Sequence, residues 1–221
     1  MATRSLLDDL AGIDRQELVA ASRRRTFGRN EVLFHEGDPG DTLHLVVKGY
    51  LAIRASTELG DVVTLAVLGP GEAFGELALL SDDATRTASA VALDAVETRS
   101  WHRIQVQDLR DRSPDVDRFL IEVLSEQVRR LSGRLVEALH LPAELRVLRR
   151  LSGLVDLYDP SSDEVVVPVT QEDLASLAGT TRPTANRVLK DAEAAGLLAL
   201  SRGRIAVVDR AGLSKRANRV R

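Results

Sequence analysis

The sequence predicts an α+β fold in three parts: an antiparallel barrel or sandwich, one long helix, and a pair of short helices around a tight turn. Three observations predict it. From Thr26 to about Trp101, short Val-, Leu- and Ile-rich runs alternate with Gly, Pro and Asp clusters, the texture of antiparallel strands. From Ile121 to Ala138, apolar residues recur in steps of three and four. Between Thr170 and Ala195, two helical patterns are split by Ala178–Gly179–Thr180.

In chain order, residues 1–20 read as an amphipathic helix with Leu6, Leu7, Leu10, Ile13 and Leu18 on or near one face. The strand candidates are Glu31–His35, Thr42–Val47, Tyr50–Arg54, Val62–Leu68, Thr87–Leu93 and Ala95–Trp101. They are punctuated by GDPGD at 37–41, Gly49, Gly60–Asp61, Gly69–Pro70–Gly71 and Ser81–Asp83. In the helix over 115–141, Ile121, Leu124, Val128, Leu131, Leu135 and Ala138 form an a/d seam over about three heptads. Phe119, Leu120 and Val123 form a second apolar face. One face suits the barrel and the other a twin helix; a single helix buried in its own domain is the alternative. Pro142 interrupts the helix and marks a hinge. Beyond it come a helix over 143–158, a polar loop over 159–163, a Val-rich strand, the two-helix unit, and a strand pair (Leu198–Ser201, Ile205–Val208) joined by Arg202–Gly203.

Composition bounds the function. The chain has 221 residues, 44% hydrophobic and 29% charged, enough for two modest domains. The absence of cysteine excludes disulfides, thiolate metal sites, iron–sulfur clusters and cysteine nucleophiles. No 18-residue apolar run is present, and acids interrupt the stretch where a signal peptide is uniformly apolar, so the expectation is a cytoplasmic protein without membrane contact. The net charge of −3 conceals an asymmetry. Residues 1–142 carry 17 basic and 23 acidic residues, a net of −6, and residues 143–221 carry 13 and 10, a net of +3. Arginine supplies 27 of the 30 basic residues, a bias typical of a GC-rich genome.

Thr170–Ala195 reads TQEDLASLAGTTRPTANRVLKDAEAA. Thr170 and Asp173 suit a helix start, Gly179 a tight turn, and Thr181 a second cap with Pro183 in the first turn behind it. Ala185, Val188, Leu189 and Ala192 face inward; Arg182, Thr184, Asn186, Arg187 and Lys190 face out. A second helix presenting Arg and Thr from its first turns is built to enter a DNA major groove. Arg182 can pair with guanine N7 and O6, Pro183 and the Thr184 methyl can touch a thymine methyl, and Lys190 suits phosphate. Arg202 and Arg204, in SRGR, lie beside the DNA backbone. Residues 170–221 carry 10 basic and 5 acidic residues, a net of +5, against the alternative of a helical hairpin with a solvated basic face.

Gly71–Ser89 reads GEAFGELALLSDDATRTAS. A cyclic phosphate needs a buried cation and backbone N–H donors. Arg86 can supply a bidentate pair, and a short helix opening near Glu76–Leu77–Ala78 can add N–H groups and a favourable dipole. Glu76 can accept from a ribose 2′-hydroxyl. The alternative is a structural Glu76–Arg86 ion pair.

With EGDPGDTLHLVVKG at 36–49, GEAFGELALL…RTAS at 71–89 and the 170–196 unit flanking a long helix, nearly the whole chain resembles the Crp/Fnr (cyclic AMP receptor protein) family of bacterial transcription regulators. The resemblance implies an N-terminal cyclic-nucleotide-binding antiparallel β-roll, jelly-roll-like, over residues 1–114. It also implies a dimerisation helix over 115–141 and a C-terminal winged helix-turn-helix over 142–221. It puts Gly75, Glu76, Leu77 and Ala78 on ribose and phosphate, Arg86 and Thr87 on the phosphate, and Arg182 and Arg187 on guanines. The implied effector is a cyclic nucleotide, cyclic AMP before cyclic GMP, and the implied partners are double-stranded DNA, a second copy of the chain and, through the 159–163 loop, RNA polymerase. Where cyclic-AMP-responsive members carry a polar pair against adenine, this chain has Leu131–Ser132, so Ser132 alone can bond a base. Pro183 stands where a cytosine-reading Glu is common, implying a different DNA half-site. No catalytic or metal-binding residue is expected: His35, His44, His102 and His140 sit in no motif, and the C-terminal third lacks histidine. The alternatives are the same regulator with a non-nucleotide effector or none, and, remotely, a nucleotide-gated enzyme.

Overall fold

The computed structural model describes residues 19–80, 85–159 and 161–219. The expected amphipathic helix over 1–20 and the turn at Ser81–Asp83 lie largely outside the described residues. The chain divides into two compact units, one running to Val62 and taking in Val67–Arg130, the other taking in Val63–Ala66 and the chain from Leu131 onward.

Two antiparallel four-stranded sheets are built from the chain between Arg23 and His102. Strands β1 (Arg23–Phe27), β8 (Val96–His102), β3 (Thr42–Lys48) and β6 (Ala73–Phe74) lie in the order β1-β8-β3-β6. Strands β2 (Val32–Phe34), β7 (Ser89–Ala92), β4 (Leu51–Ser56) and β5 (Val62–Leu68) lie in the order β2-β7-β4-β5. This realises the expected antiparallel β-roll. The roll also carries the one-turn helix α1 (Leu77–Leu80).

The strand texture begins three residues earlier than the sequence suggests. Strand β1 reads RRRTF, and only Phe27 is buried. As the edge strand beside β8, it needs no apolar alternation, which hid it. The ten-residue helix α2 (Arg103–Arg112) was also not anticipated, because its charged sequence buries only Val106 and Leu109. Its start is set by a capping box in which the Gln105 side chain accepts from the His102 N–H at 2.7 Å.

Helix α3 spans Asp115–His140. Its first turns bury Val116, Phe119 and Leu120 against Leu43, Leu45 and Trp101 of the roll and Val106 and Leu109 of α2, with Val123 packed on the cluster. The second apolar face read from the sequence is therefore in the core. Burial on this scale stabilises by roughly 1.5–3 kcal/mol per large side chain.

In the second unit, Pro142 caps helix α4 (Ala143–Tyr158). Its Val147, Leu148, Leu151, Leu154 and Val155 form the centre of the core. Around it pack β9 (Val165–Val167), α5 (Gln171–Leu177), α6 (Arg182–Ala194) and α7 (Arg210–Ala217). Strands β10 (Leu198–Ser201) and β11 (Arg204–Val207) pair antiparallel through Arg202–Gly203, and β9 joins β11, giving the winged helix-turn-helix. Helix α7 was not expected. Asp209 caps it, its Oδ1 accepting from the Gly212 N–H at 2.8 Å, and Leu213 and Ala217 anchor it. Among the described residues no helix is long and apolar enough to cross a membrane.

Candidate effector site and nucleic-acid interface

The loop after β6 brings opposite charges into the interior of the roll. Glu76 is 2% exposed and Arg86 5% exposed, and they are not each other's hydrogen-bond partners. Arg86 donates from Nη2 to Thr42 Oγ1 at 2.6 Å and from Nη1 to the Gly75 carbonyl at 3.1 Å. Its guanidinium lies 4.1 Å from the centroid of the Phe34 ring, a cation–π contact. Burial pulls its pKa down, against the fields of Asp41, Glu76 and Asp38. Arg86 Nε is buried without a partner among the described residues.

Gly75 makes this approach possible. Its φ is +84°, and a Cβ there would sit 2.5 Å from Arg86 Nη1 and 2.9 Å from the Thr42 carbonyl oxygen. Glu76 instead faces α3, where Gln127 Nε2 donates to its Oε1 at 2.8 Å. Three residues further along the same helix, Arg130 pairs with Glu72 at 2.7 Å. Two acids at the mouth of the loop are thus tied to two side chains one turn apart on α3.

Ala78 is buried, and its carbonyl accepts from Arg103; Leu77, Thr87 and Ser132 are exposed. Helix α1 is a single turn of four residues, so the helix dipole expected from the sequence is too short to contribute. What it leaves at this loop is the backbone itself.

The second unit builds a different surface. Thr170 and Asp173 form the expected capping box, with Thr170 Oγ1 accepting from the Asp173 N–H at 3.0 Å. Gly179 turns the chain at φ +59°. Thr181 caps α6, Pro183 sits in its first turn, and Ala185, Val188, Leu189 and Ala192 are buried. Arg182, Pro183, Arg187 and Lys190 are exposed and Thr184 half-buried on the opposite face. Arg187 lies 3.9 Å from Asp191, one turn on. In the wing, Arg202 and Arg204 are exposed beside Gly203, whose φ is +72°.

Sequence reasoning missed Arg146 on α4. It donates from Nη1 to the Leu141 carbonyl at 2.7 Å, from Nε to that of Ala178 at 2.8 Å, and from Nη2 to that of Gly179 at 2.9 Å. One guanidinium thus joins the end of the α3–α4 connection to the turn before α6. Glu137 of α3 adds ion pairs to Arg149, at 3.1 Å, and to Arg150. No local motif marks Arg146 among so many arginines.

Along α3, Ile121, Val128, Leu131 and Leu135 are each 61–62% exposed, Leu124 is half-buried and Ala138 exposed. The a/d seam is thus an uncovered apolar stripe in the single chain.

A two-sheet roll with a buried Arg and Glu in one loop, followed by a winged helix-turn-helix, is the architecture of a DNA-binding regulator. Comparison with known proteins agrees. A family model for the cyclic nucleotide-binding domain matches residues 24–113, and one for the Crp-like helix-turn-helix domain matches residues 145–216. The chain is 33% identical over 198 residues to the cyclic AMP receptor protein of Thermus thermophilus, covering 87% of each chain. It is 29% identical over 194 residues to a CRP-like cAMP-activated global transcriptional regulator of Mycobacterium tuberculosis, covering 86% of each. Among solved structures, the c-di-GMP-responsive global regulator CLP of Xanthomonas campestris is similar at 27% identity and a TM-score of 0.71, covering 87% of this chain and 96% of that one. The chain belongs to the Crp/Fnr family of transcription regulators.

Proposed function

We propose that the protein is a homodimeric, sequence-specific DNA-binding regulator whose affinity for its operator is set by a cyclic nucleotide in the roll, cyclic AMP first and cyclic GMP second. In this reading residues 1–114 are the sensor, 115–141 the dimerisation helix and 142–221 the DNA-binding domain. The observation that carries the ligand half is the pair of buried opposite charges, Arg86 and Glu76, each held by neutral partners rather than by the other. Burying a charge is costly without compensation. An anionic phosphodiester on Arg86 and a ribose hydroxyl on Glu76 supply that compensation. Thr87 and the backbone of Gly75, Leu77 and Ala78 complete the phosphate contacts, and Ser132 meets the base.

The mechanism follows from Glu76. A ribose hydroxyl donating to its carboxylate competes with or reorients Gln127 Nε2, and so acts on α3 directly. The ligand shifts the equilibrium only by its differential affinity for the two states of the helix pair. Two copies joined along Ile121, Leu124, Val128, Leu131, Leu135 and Ala138 present two α6 helices, which bind half-sites about 34 Å apart. Arg182 and Arg187 then read guanines, Pro183 and Thr184 read a thymine methyl, and Lys190, Arg202 and Arg204 hold phosphates. The 159–163 loop is the candidate contact for RNA polymerase, and the protein acts in the cytoplasm.

Titration of labelled cyclic AMP and cyclic GMP tests the ligand half. Saturable binding of either by the native chain, lost in Arg86→Ala, is expected. Equal binding by native chain and variant overturns the assignment of Arg86. A specific observation favours testing cyclic di-GMP alongside: Leu131 is apolar where a base would seek a donor, and the similar regulator CLP is described as c-di-GMP-responsive.

A further inference from the structure

We infer that Thr42 and His44 are positioning residues for the buried guanidinium of Arg86, and through it for the phosphate of the effector. The inference rests on the reading of Arg86 as the phosphate cation. Thr42 and His44 are two apart on β3 and so project to the same side of the strand. Thr42 Oγ1 accepts from Arg86 Nη2 at 2.6 Å and lies 3.0 Å from His44 Nε2. His44 is 1% exposed, its ring stacked on Phe74 with centroids 5.0 Å apart and tilted against Phe34 at 5.8 Å. Phe34 is also the ring beneath Arg86.

The chemistry of the three groups fixes the direction of the chain. A threonine hydroxyl has one proton to donate. Having accepted from Arg86, it satisfies itself by donating to His44 Nε2, which requires the imidazole to be neutral with its proton on Nδ1. The opposite tautomer leaves the threonine proton as well as Nδ1 without a partner, since Nδ1 is unpartnered in either case among the described residues. Burial and the neighbouring cations Arg86 and Arg25 keep the imidazole neutral, so it adds no second positive charge beside the guanidinium.

A hydroxyl that donates is a better acceptor, and the low-dielectric surroundings strengthen the chain. The effect is to hold the Arg86 fork in one plane, face on Phe34, one Nη on Thr42 and the other on the Gly75 carbonyl. Two of the five guanidinium N–H groups are then used, and the second hydrogens of Nη1 and Nη2 are left for an anion, Nε being buried. Thr42 thus acts on the site through Arg86, and His44 sets Thr42.

Calorimetric titration of cyclic AMP into the full chain, with thermal unfolding of each variant, tests this. Thr42→Val keeps the shape and removes the hydroxyl, and is expected to weaken affinity about tenfold, the size of a hydrogen bond to a charged group. Thr42→Ser restores it. His44→Phe keeps a ring in the stack and drops the acceptor; affinity falls while thermal stability holds or rises, a separation that a merely structural role does not produce. Unchanged or tighter binding by Thr42→Val and His44→Phe, with Arg86→Ala still inactive, overturns this inference alone. Absence of cyclic AMP binding by the native chain overturns the proposed cyclic AMP effector instead. The unliganded protein then decides the inference: the Arg86 Nε–H NMR resonance is expected to be sharp and slow to exchange, and broadened in Thr42→Val. An identical resonance in both overturns the positioning role.

Discussion

His44 shows how a single residue makes stability depend on pH. Its pKa is lowered from 6.5 to about 3, first by burial and then by the nearby Arg86 and Arg25 guanidinium groups. Below 6.5 the unfolded chain takes up a proton that the folded chain refuses, so stability falls as pH falls from 6.5 towards 3. The slope from this group is about 1.4 kcal/mol per pH unit, and above that window it vanishes. Denaturant unfolding of native protein and His44→Phe across the window is expected to diverge, the native chain losing stability faster as pH drops; parallel curves contradict a buried neutral histidine. At this scale the sequence was legible where residue type and spacing carry chemistry together. Glu76 and Arg86, ten apart with glycines before them, were readable as a candidate site, and both are buried. His44 was not, because a lone histidine in a Val- and Leu-rich strand has no local partner. Its neighbours Phe34, Phe74 and Arg86 arrive from three other segments.

At the scale of elements, helix α6 carries its candidate DNA-contacting residues on one face and its buried residues on the other. Buried Ala185, Val188, Leu189 and Ala192 fix its rotation, so Arg182, Pro183, Arg187 and Lys190 project outward. In binding assays on randomised duplexes, Arg182→Ala is expected to relax base preference at one position by about 1–3 kcal/mol. Lys190→Ala is expected to weaken all sequences alike and flatten the salt dependence. An Arg182→Ala variant with native affinity and preference contradicts the assignment. Such elements were legible because caps, turn glycines and the 3.6-residue period agree over the same stretch: Thr170, Gly179, Thr181 and Gly196 all do what their residue types favour. Strand β1 and helices α2 and α7 were not. Each buries two residues or fewer, so tertiary packing rather than pattern defines it.

At the scale of the whole molecule, the proposed regulation requires that a ligand in the roll be felt along α3 and beyond Pro142. The chain carries contacts for both ends of that route: Gln127 and Arg130 on Glu76 and Glu72, then Glu137 on Arg149 and Arg150, then Arg146 on Leu141, Ala178 and Gly179. The seam between them is expected to pair two copies. Glutamates at both Leu131 and Leu135 would place carboxylates in an apolar interface, so sedimentation is expected to show a folded monomer where the native chain is a dimer. A dimeric double variant contradicts the seam. The charge asymmetry legible in the sequence, acidic to residue 142 and basic beyond it, belongs to this scale as well, since it follows the division between the cyclic nucleotide-binding and helix-turn-helix domains. The central claim is that nucleotide on Arg86 controls DNA affinity. Its most direct measurement is the affinity of native protein and Arg86→Ala for one selected operator duplex, with and without saturating cyclic AMP. The expected result is a gain of about 5–150-fold for the native chain and none for the variant. Equal affinity with and without nucleotide, or a gain retained by Arg86→Ala, would contradict it.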